Sequence, residues 1–399
     1  MAKNVLIFFP YTLKENLGGP FSYLYHLKNA FNYDDINLVF LNDLISFENT
    51  NNSFPTQSSL KRLLKPFIPA KAIYSRRINI YLDQIRQISF IDELKKIDLN
   101  AFDAIHFHET IAGWRFRDLL KDYKGKVIFT PHAPKPFFLE ILEDVYDMNR
   151  SQIWNRTYKK LEALDNIAFS EADVLVTPCK EALDAYEDHW PAFKKIAPTK
   201  TFHFIPTGIA KPVISRSAKD VREKLSISDK GFIVCFNGRH LKVKGYDLLV
   251  KAAKILLKQY SDIYFLITGK ADKVPPIVHE RWIETGWTNE PQNFVNASDI
   301  VVVPNRETLF DLNVLMVLSL AKPLILSEAG GNKYFRKFSS KGIFYFDIQK
   351  ENALTEVIGN SYKMKLQLSE MGNANEGIFQ QNFTLSHFAK QYHQFYLSL

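Results

Sequence analysis

Short apolar runs alternate with longer amphipathic stretches along the chain. This alternation is typical of βαβ units, in which helices connect parallel strands and cover the faces of the sheet. In the first half, the pattern predicts strands at Val5–Phe9, Ile36–Leu41, Ala104–Phe107, Lys126–Thr130, Val174–Thr177 and Thr201–Ile205. Helices are expected between them, at Phe21–Ala30, at Ile111–Leu120, within Phe138–Glu171 and at Lys180–Tyr186.

The alternation restarts after a polar stretch at 210–230, which we interpret as a linker. Strands are expected at Phe232–Phe236, Ile263–Thr268, Ile300–Val303, Leu324–Ser327 and Ile343–Phe346, with helices at Tyr246–Gln259 and Leu312–Leu320. A chain of 399 residues exceeds the size at which one hydrophobic core keeps growing. We therefore predict an α/β protein with two Rossmann-like, doubly wound parallel-sheet domains, 1–210 and 211–382, and an aromatic-rich helix at 383–399.

The charge balance of the chain favours acidic partners. It carries 51 Lys and Arg against 43 Asp and Glu, a formal net charge of +8. Phosphates or an anionic membrane suit this balance, and no nucleic acid is expected because no zinc-finger, RNP-type or KH-type motif occurs. The densest basic stretch, 61–77, has apolar residues between Lys61, Arg62, Lys65 and Arg76. Two interpretations stay open for it: a segment lying on anionic lipid headgroups, and a solvated loop and helix.

The apolar runs are too short for membrane insertion. No run reaches the roughly 18 apolar residues of a membrane span, and Val5–Phe9 is too short for a signal peptide. Cys179 and Cys235 lie far apart without metal-ligand spacing around them. We therefore expect a cytoplasmic protein with reduced thiols, soluble or peripheral on the inner face of the membrane.

Glycines and histidines follow several predicted strands of the first half, where ligands of open α/β sheets bind. Gly18 and Gly19 precede a helix and could let backbone N–H groups approach an anion, although a plain tight turn explains them equally well. His106 and His108 share one strand face, but no third ligand follows with suitable spacing, so packing is favoured over a metal site. His132 follows the next strand, placed either to touch a substrate hydroxyl or to cap its own loop.

The strongest local signal is the segment NGRHLKVKGYD at 237–247. It places Gly238, Arg239 and Lys244 between a buried strand and an amphipathic helix. Arg offers a planar fork and Lys a compact charge, which together can neutralise a diphosphate. The alternative is a solvent-exposed basic turn, which the flanking glycines disfavour because they permit close backbone approach.

A second polar cluster follows the predicted strand Ile300–Val303. A carboxylate at a strand end suits bonding to sugar hydroxyls, and the helix N-terminus beyond it suits a phosphate. Two glycines add a permissive turn on the same side. An ordinary helix-capping carboxylate is the alternative interpretation. The residues concerned are Glu307, Phe310, Asp311, Leu312, Gly330 and Gly331.

Taken in order, these segments resemble the retaining GT-B glycosyltransferases, a family that includes sucrose synthase, glycogen synthase and bacterial mannosyltransferases. The resemblance covers nearly the whole chain and is densest from Phe236 to Asn332. It implies two Rossmann-like domains that face each other across a cleft. It also implies that the helix at 383–399 crosses back to brace the first domain.

The resemblance also implies roles for individual residues. The glycine pair Gly18–Gly19 is expected to lie against the donor phosphates, and Arg239 and Lys244 are expected to grip the diphosphate. His132 is the best match to the histidine near the donor sugar. Glu307 matches a glutamate that binds the hydroxyls of that sugar.

The match to the last family motif is imperfect. Met316 stands where a glutamate binds the nucleotide ribose, and Asp311 stands where a glycine usually follows the phenylalanine. Glu307 lies one residue further from Phe310 than the common spacing. A methionine cannot accept hydrogen bonds from ribose hydroxyls as a carboxylate does. The nucleotide contact in this chain is therefore expected to differ.

The activity that the resemblance implies is transfer of a sugar, with retention and without a metal, from a nucleotide diphosphate. A UDP-sugar is the first candidate donor, no cofactor is expected, and no Asp-x-Asp pair occurs. The expected acceptor is a glycan, a lipid-linked sugar or a glycoprotein, as in polysaccharide biosynthesis. The main alternative is a non-catalytic GT-B-like subunit that binds a sugar or a partner transferase. A sugar-nucleotide epimerase or a phosphorylase is a lower-ranked alternative.

Overall fold

The computed structural model describes residues 2–14, 19–45, 69–86 and 91–399. The chain divides into two compact units. The first consists of Met1–Thr177, Ala185–His203 and Tyr392–Leu399, and the second of Pro178–Asp184 and Phe204–Gln391. The polar stretch 210–230, expected as a linker, therefore lies inside the second unit, and 178–184 belong to that unit although the sequence places them in 1–210.

The first unit contains a six-stranded sheet within the described residues, in the order β2-β1-β3-β4-β5-β6. The pairings from β2 through β5 are parallel. All six strands match predicted ones to within two residues at either end. They are β1 (Lys3–Phe8), β2 (Ile36–Phe40), β3 (Ala104–Phe107), β4 (Lys126–Phe129), β5 (Val174–Thr177) and β6 (Thr201–Phe204).

The second unit, described throughout, has a six-stranded parallel sheet in the order β12-β11-β10-β7-β8-β9. Five of its strands match the prediction, and β9 was not predicted. The strands are β7 (Phe232–Asn237), β8 (Ile263–Thr268), β9 (Trp282–Gly286), β10 (Ile300–Val303), β11 (Leu324–Ser327) and β12 (Ile343–Phe346). These observations establish a two-domain, Rossmann-like α/β fold.

Helices connect successive strands in both units. Up to residue 203, the α-helices are Gly19–Ala30, Leu41–Leu44, Ala70–Arg86, Ile91–Leu94, Thr110–Arg115, Phe137–Leu139, Asn155–Glu171, Asp184–His189 and Phe193–Ile196. Short 3₁₀ turns lie at Leu99–Ala101, Arg117–Leu120, Arg150–Gln152, Lys180–Leu183 and Ala197–Thr199, and a π-helical turn at Glu140–Val145. Beyond residue 203, the α-helices are Ala218–Lys224, Tyr246–Gln259, Pro291–Ala297, Leu312–Ser319, Ala353–Lys363, Leu368–Asn382 and Leu385–Ser398, with a 3₁₀ helix at Gly330–Phe338.

Two helical regions differ from the prediction for local reasons. The stretch Phe138–Glu171 is broken, because the buried Asp165 carboxylate accepts the backbone N–H groups of Phe137 and Phe138 and so caps a separate short helix. The stretch 210–230 contains a helix that begins with a capping box between Ser217 and Asp220.

Both faces of the second sheet are covered by apolar side chains. Val234 packs in one cluster with Leu249 and Leu256, whereas its neighbour Cys235 packs in another cluster with Leu315. Successive residues of a strand point to opposite faces, so the two clusters lie on the two sides of the sheet. A sheet buried on both faces leaves its strand ends as the surface where polar side chains can gather.

Candidate functional site

The strand order in the sheet of the second unit reverses between β7 and β10. Strands β8 and β9 follow β7 on one side, and β11 and β12 follow β10 on the other. Ligands of open α/β sheets bind outside the carboxyl ends of the strands at such a point. The segments that follow these two strands are 238–245 and 304–311, which contain residues predicted for the site from the sequence.

Close backbone contacts fix the loop 304–311 on one side against the turn after β7. Gly245 has a φ of +67°, and a Cβ there would lie 1.9 Å from the carbonyl oxygen of Pro304. The backbone N–H of Arg306 donates to the Val243 carbonyl at 2.8 Å. Only glycine fits this approach, so the backbone at position 245 determines where the loop lies.

The other side of the same loop is fixed by the glycine pair after β11. A Cβ on Gly330 would lie 2.3 Å from the Thr308 carbonyl oxygen, and one on Gly331 would lie 1.9 Å from that of Leu309. The Gly331 N–H donates to the Thr308 carbonyl at 2.9 Å. The structure thus places both glycines against protein backbone, where they hold the loop.

The Asp311 carboxylate collects three donors at the start of the Leu312–Ser319 helix. Lys244 Nζ lies 2.9 Å and Asn305 Nδ2 lies 2.6 Å from Oδ2, and the Asn313 backbone N–H donates to Oδ1 at 3.0 Å. Burial raises the pKa of Asp311, but Lys244 and the hydrogen bonds outweigh burial and hold that pKa below its usual range. Asp311 is therefore ionised, and it is the N-cap of the helix.

Arg239 lies in the same turn but is more exposed. Its guanidinium forms a 2.8 Å ion pair with Asp272, and its side chain is 64% exposed compared with 37% for Lys244. The hydrogen bond from Arg239 lowers the pKa of Asp272. Both cations therefore have carboxylate partners while keeping N–H groups available on their exposed sides.

Asparagines that the sequence analysis did not select complete this edge. Asn237, the last residue of β7, accepts from Thr268 Oγ1 at 2.8 Å and donates to Asn313 Oδ1 at 3.1 Å. Asn305 is buried and donates to Asp311. All three asparagines lie at the end of a strand or within two residues of a strand end or helix start, which is the positional signal that could have identified them.

The strand order in the sheet of the first unit reverses between β1 and β3, with β2 on one side and β4 to β6 on the other. At the carboxyl ends of these two strands, Tyr11 donates to Glu109 Oε1 at 3.0 Å. Burial raises the pKa of Glu109 to about 7, and the bond from Tyr11 only partly opposes this. Neither Glu109 nor Tyr11 is among the residues predicted for the site from the sequence.

Three histidines lie together beside this edge. His106 Nδ1 lies 2.8 Å from the Tyr396 hydroxyl and His106 Nε2 lies 2.7 Å from Thr130 Oγ1. His108 Nδ1 lies 3.0 Å from His132 Nε2, so these two rings share one proton. Burial lowers the pKa of His132 to about 3, and burial also holds the pKa values of His106 and His108 well below the ordinary value. All three rings are neutral at physiological pH.

Comparisons with known proteins agree with this architecture. Residues 231–362 match the family model described as glycosyl transferases group 1. The O-antigen biosynthesis glycosyltransferase WclY of Escherichia coli is 26% identical over 332 residues, which covers 81% of this chain and 85% of that protein. These matches support a glycosyltransferase with the GT-B fold. A D-inositol 3-phosphate glycosyltransferase of Corynebacterium urealyticum is 22% identical, covering 58% of this chain and 56% of that enzyme.

Solved structures show the same fold over the full length of this glycosyltransferase. Sucrose-phosphate synthase from Thermosynechococcus elongatus has a TM-score of 0.64 at 16% identity, covering 100% of this chain and 99% of that one. Anabaena HepE in complex with UDP-glucose has a TM-score of 0.61 at 14% identity, with 100% of both chains covered. At these identities the likeness concerns the fold alone.

Several residues predicted for the site have side chains that pack into the core of the second unit. The Phe310 side chain is buried, and its ring packs on Phe335 with ring centroids 5.3 Å apart. Leu312 and Met316 are half-buried and pack against the same apolar cluster. Gly238 directly follows β7, and its N–H donates to the Thr268 carbonyl.

Three further residues are predicted for the site from the sequence. Glu307 is half-buried in the loop 304–311. Gly18 lies outside the described residues, and Gly19 begins the first helix with a φ of +54° and open space around its Cβ position. Within the described ranges, no cluster of three or more His, Cys, Asp or Glu side chains could hold a metal ion, and no helix could cross a membrane.

Proposed function

We propose that this glycosyltransferase binds the diphosphate of its nucleotide-sugar donor at Arg239 and Lys244, with a UDP-sugar as the first candidate. The observation that carries this assignment is the pair of cations that follows β7 at the switch point of the second sheet, with Lys244 ion-paired to Asp311 of the loop 304–311. The exposed Arg239 and the partly exposed Lys244, which contacts the N-cap of the Leu312–Ser319 helix, suit the charge of a diphosphate. HepE was solved with UDP-glucose, which supports UDP as the first nucleotide to test.

The proposed reaction transfers the sugar with retention and without a metal, as the family resemblance implies. The acceptor oxygen forms a bond to the anomeric carbon, the bond from that carbon to the diphosphate oxygen breaks, and the acceptor proton passes to the departing diphosphate. Arg239 and Lys244 stabilise the charge that develops on the leaving group. The family resemblance assigns a donor-sugar contact to His132, whose lowered pKa leaves the ring neutral, and another to Glu307.

The proposed acceptor is a glycan, a lipid-linked sugar or a glycoprotein. The name of WclY, an O-antigen biosynthesis enzyme, supports a polysaccharide pathway. A cytoplasmic protein that binds the inner membrane face through 61–77 would meet lipid-linked acceptors there. Lys61, Arg62 and Lys65 lie outside the described residues, whereas Lys71 and Arg76 are exposed on the Ala70–Arg86 helix.

Liposome binding tests the membrane assignment. Neutralising Lys61, Arg62, Lys65, Arg76 and Arg77 together should abolish sedimentation with anionic liposomes, because each basic residue near an anionic surface contributes about 1 kcal/mol. The matched control is neutralisation of Lys194, Lys195, Lys219, Lys224 and Lys230, which leaves the same net charge. If both variants lose binding equally, the interaction reflects net charge and the 61–77 assignment fails.

The donor assignment is tested with a panel of UDP-, GDP- and dTDP-linked sugars, measured by thermal shift and by donor hydrolysis. One donor should raise the melting temperature and be hydrolysed slowly, and both effects should disappear in Arg239→Ala and Lys244→Ala. Lys251→Ala is the matched control, because Lys251 is an exposed lysine, ion-paired with Glu351, on the helix that follows. If the active-site and control variants respond alike, the cation assignment is wrong.

A second candidate function is a non-catalytic GT-B-like subunit that binds a sugar or a partner transferase. Met316 favours it, because a half-buried methionine offers no hydrogen-bond acceptor of carboxylate strength to a ribose. This candidate predicts that a donor raises the melting temperature without turnover, even when acceptor oligosaccharides are supplied. Turnover with any acceptor would exclude it.

A further inference from the structure

The Asp311 carboxylate accepts hydrogen bonds from a set of donors that would also suit a phosphate. Its three donors are a lysine ammonium, a side-chain amide and a backbone N–H at a helix N-terminus. Lys244, Asn305 and Asn313 supply them from three different elements. This combination of donors is also the one that binds phosphate oxygens in proteins.

The site is tightly filled by this internal carboxylate. The Asp311 side chain is only 13% exposed, and the Asn313 N–H is used by Oδ1. An oxygen of a bound phosphate cannot accept the same N–H and approach Lys244 from the Asp311 side unless the carboxylate moves. Two anions in this corner would also repel each other at short range. A residue without a carboxylate at this position would leave Lys244 Nζ and the Asn313 N–H without this acceptor.

We propose, on the basis of the donor assignment above, that Asp311 is an internal anion that competes with the donor diphosphate for Lys244 and the N-terminus of the Leu312–Ser319 helix. Donor binding then requires the Lys244–Asp311 ion pair to loosen. Asp311 thereby sets the donor affinity of this chain below the value that its cations alone would give. The opposite role, in which Asp311 only positions Lys244 for the donor, predicts that removing the carboxylate weakens binding.

Calorimetric binding of inorganic pyrophosphate to the full chain separates these roles without knowledge of the base or the sugar. We expect Asp311→Asn to bind pyrophosphate about tenfold more tightly than the wild type, because one negative charge a few ångströms from the ligand is removed. Asparagine keeps an acceptor for the Asn313 N–H and remains a good N-cap, so the helix start is preserved. The double variant Asp311→Asn/Lys244→Ala should lose the gain.

Asp262→Asn is the matched control. Asp262 also accepts from a lysine, Lys365 at 3.0 Å, but it precedes β8 and so lies at the opposite end of the same sheet. This control should leave pyrophosphate affinity unchanged. Asp311→Gly is the second test variant, because it removes the carboxylate by a different route, and it should bind at least as tightly as Asp311→Asn.

The outcomes distinguish this inference from the donor assignment on which it rests. Equal or weaker pyrophosphate binding in both Asp311 variants, together with loss of binding in Lys244→Ala, overturns the competition and leaves the donor assignment intact. Absence of pyrophosphate binding in the wild type and in both Asp311 variants overturns both. Tighter binding in both Asp311 variants, lost without Lys244, is the expected result.

Discussion

The carboxyl edges of the two sheets carry polar side chains of opposite character: ion-paired cations in the second unit and neutral histidines in the first. In the second unit, Arg239 and Lys244 each form an ion pair with a carboxylate within 2.9 Å and keep a partly exposed side chain. In the first unit, His106, His108 and His132 are neutral because burial lowers their pKa values.

This difference shows how exposure determines what a polar cluster can do. Ion pairs that are partly solvated keep a charge available for a charged ligand at modest cost. Buried groups stay neutral and satisfy one another, which makes them rigid positioning elements rather than sources of charge. We therefore expect substitutions at the second edge to affect chemistry first and those at the first edge to affect stability first.

The largest effect is expected for Lys244→Ala at the charged edge. Removing a preorganised cation from the leaving group should lower kcat/KM for the active nucleotide sugar by about 10²- to 10³-fold. Steady-state kinetics measures this, with Lys251→Ala as the control that removes an exposed, ion-paired lysine. A loss of less than about tenfold would mean that the charge of Lys244 does not act on the reaction.

The next effect is expected where the loop 304–311 is fixed by Gly245. In Gly245→Ala the new Cβ meets the Pro304 carbonyl oxygen at 1.9 Å in addition to adopting a φ of +67°. We expect the free energy of unfolding to fall by about 3 kcal/mol or more, since the left-handed conformation alone costs about 1–2 kcal/mol. Urea unfolding followed by tryptophan fluorescence measures it.

Gly286→Ala is the control for backbone conformation. Gly286 has a similar φ of +71°, but a Cβ there meets nothing within 4 Å. The difference between the two variants therefore isolates the close contact with the loop. Equal destabilisation would show that the loop moves freely away from position 245. Gly245 would then not determine where the loop 304–311 lies.

A smaller stability effect is expected from the neutral edge. Tyr396→Phe leaves His106 Nδ1, which is completely buried, without its hydroxyl partner. An unpaired buried polar atom costs about 1–3 kcal/mol, so urea unfolding should shift by that amount while KM for the donor stays unchanged. Tyr33→Phe serves as control, because the Tyr33 hydroxyl makes no hydrogen bond within the described residues. A shift no larger than that of the control would show that the histidine cluster is not held by Tyr396.

The sequence predicted those features that are contiguous along the chain. Eleven strands followed from apolar runs, but β9 was missed because its five residues include the exposed Glu284 and no continuous apolar run. The pair Arg239 and Lys244 was recognisable because one short motif contains both. Family comparison then supported the fold and the glycosyltransferase assignment.

Contacts between distant residues left no local signal. The Lys244–Asp311 pair joins positions 67 residues apart, and the bond from Tyr396 to His106 joins positions 290 apart. The sequence therefore identified Asp311 as a departure from the family pattern without indicating its partner. It also assigned Gly330 and Gly331 to the ligand, although a Cβ at either position would meet backbone oxygen of the loop.

The last prediction concerns whether Glu109 belongs to the neutral edge. Burial raises the folded-state pKa of Glu109 from its ordinary value of 4.5 to about 7. A raised carboxyl pKa contributes stability that is fully present below pH 4.5 and is lost as the pH rises through 7. Glu109→Gln removes this titration. Between pH 4.5 and pH 8, the free energy of unfolding of the variant should therefore rise relative to that of the wild type by about 1–3 kcal/mol.

Urea unfolding of both proteins at several pH values measures this gain. The histidines titrate equally in wild type and variant, so their contribution cancels in the difference. Glu171→Gln is the control, because Glu171 is an exposed carboxylate at the end of the Asn155–Glu171 helix and is solvated in both states. If the difference between wild type and Glu109→Gln does not change with pH, Glu109 is ionised when buried. The first edge would then carry a fixed negative charge beside Tyr11, and the contrast between a charged and a neutral edge would fail at its clearest point.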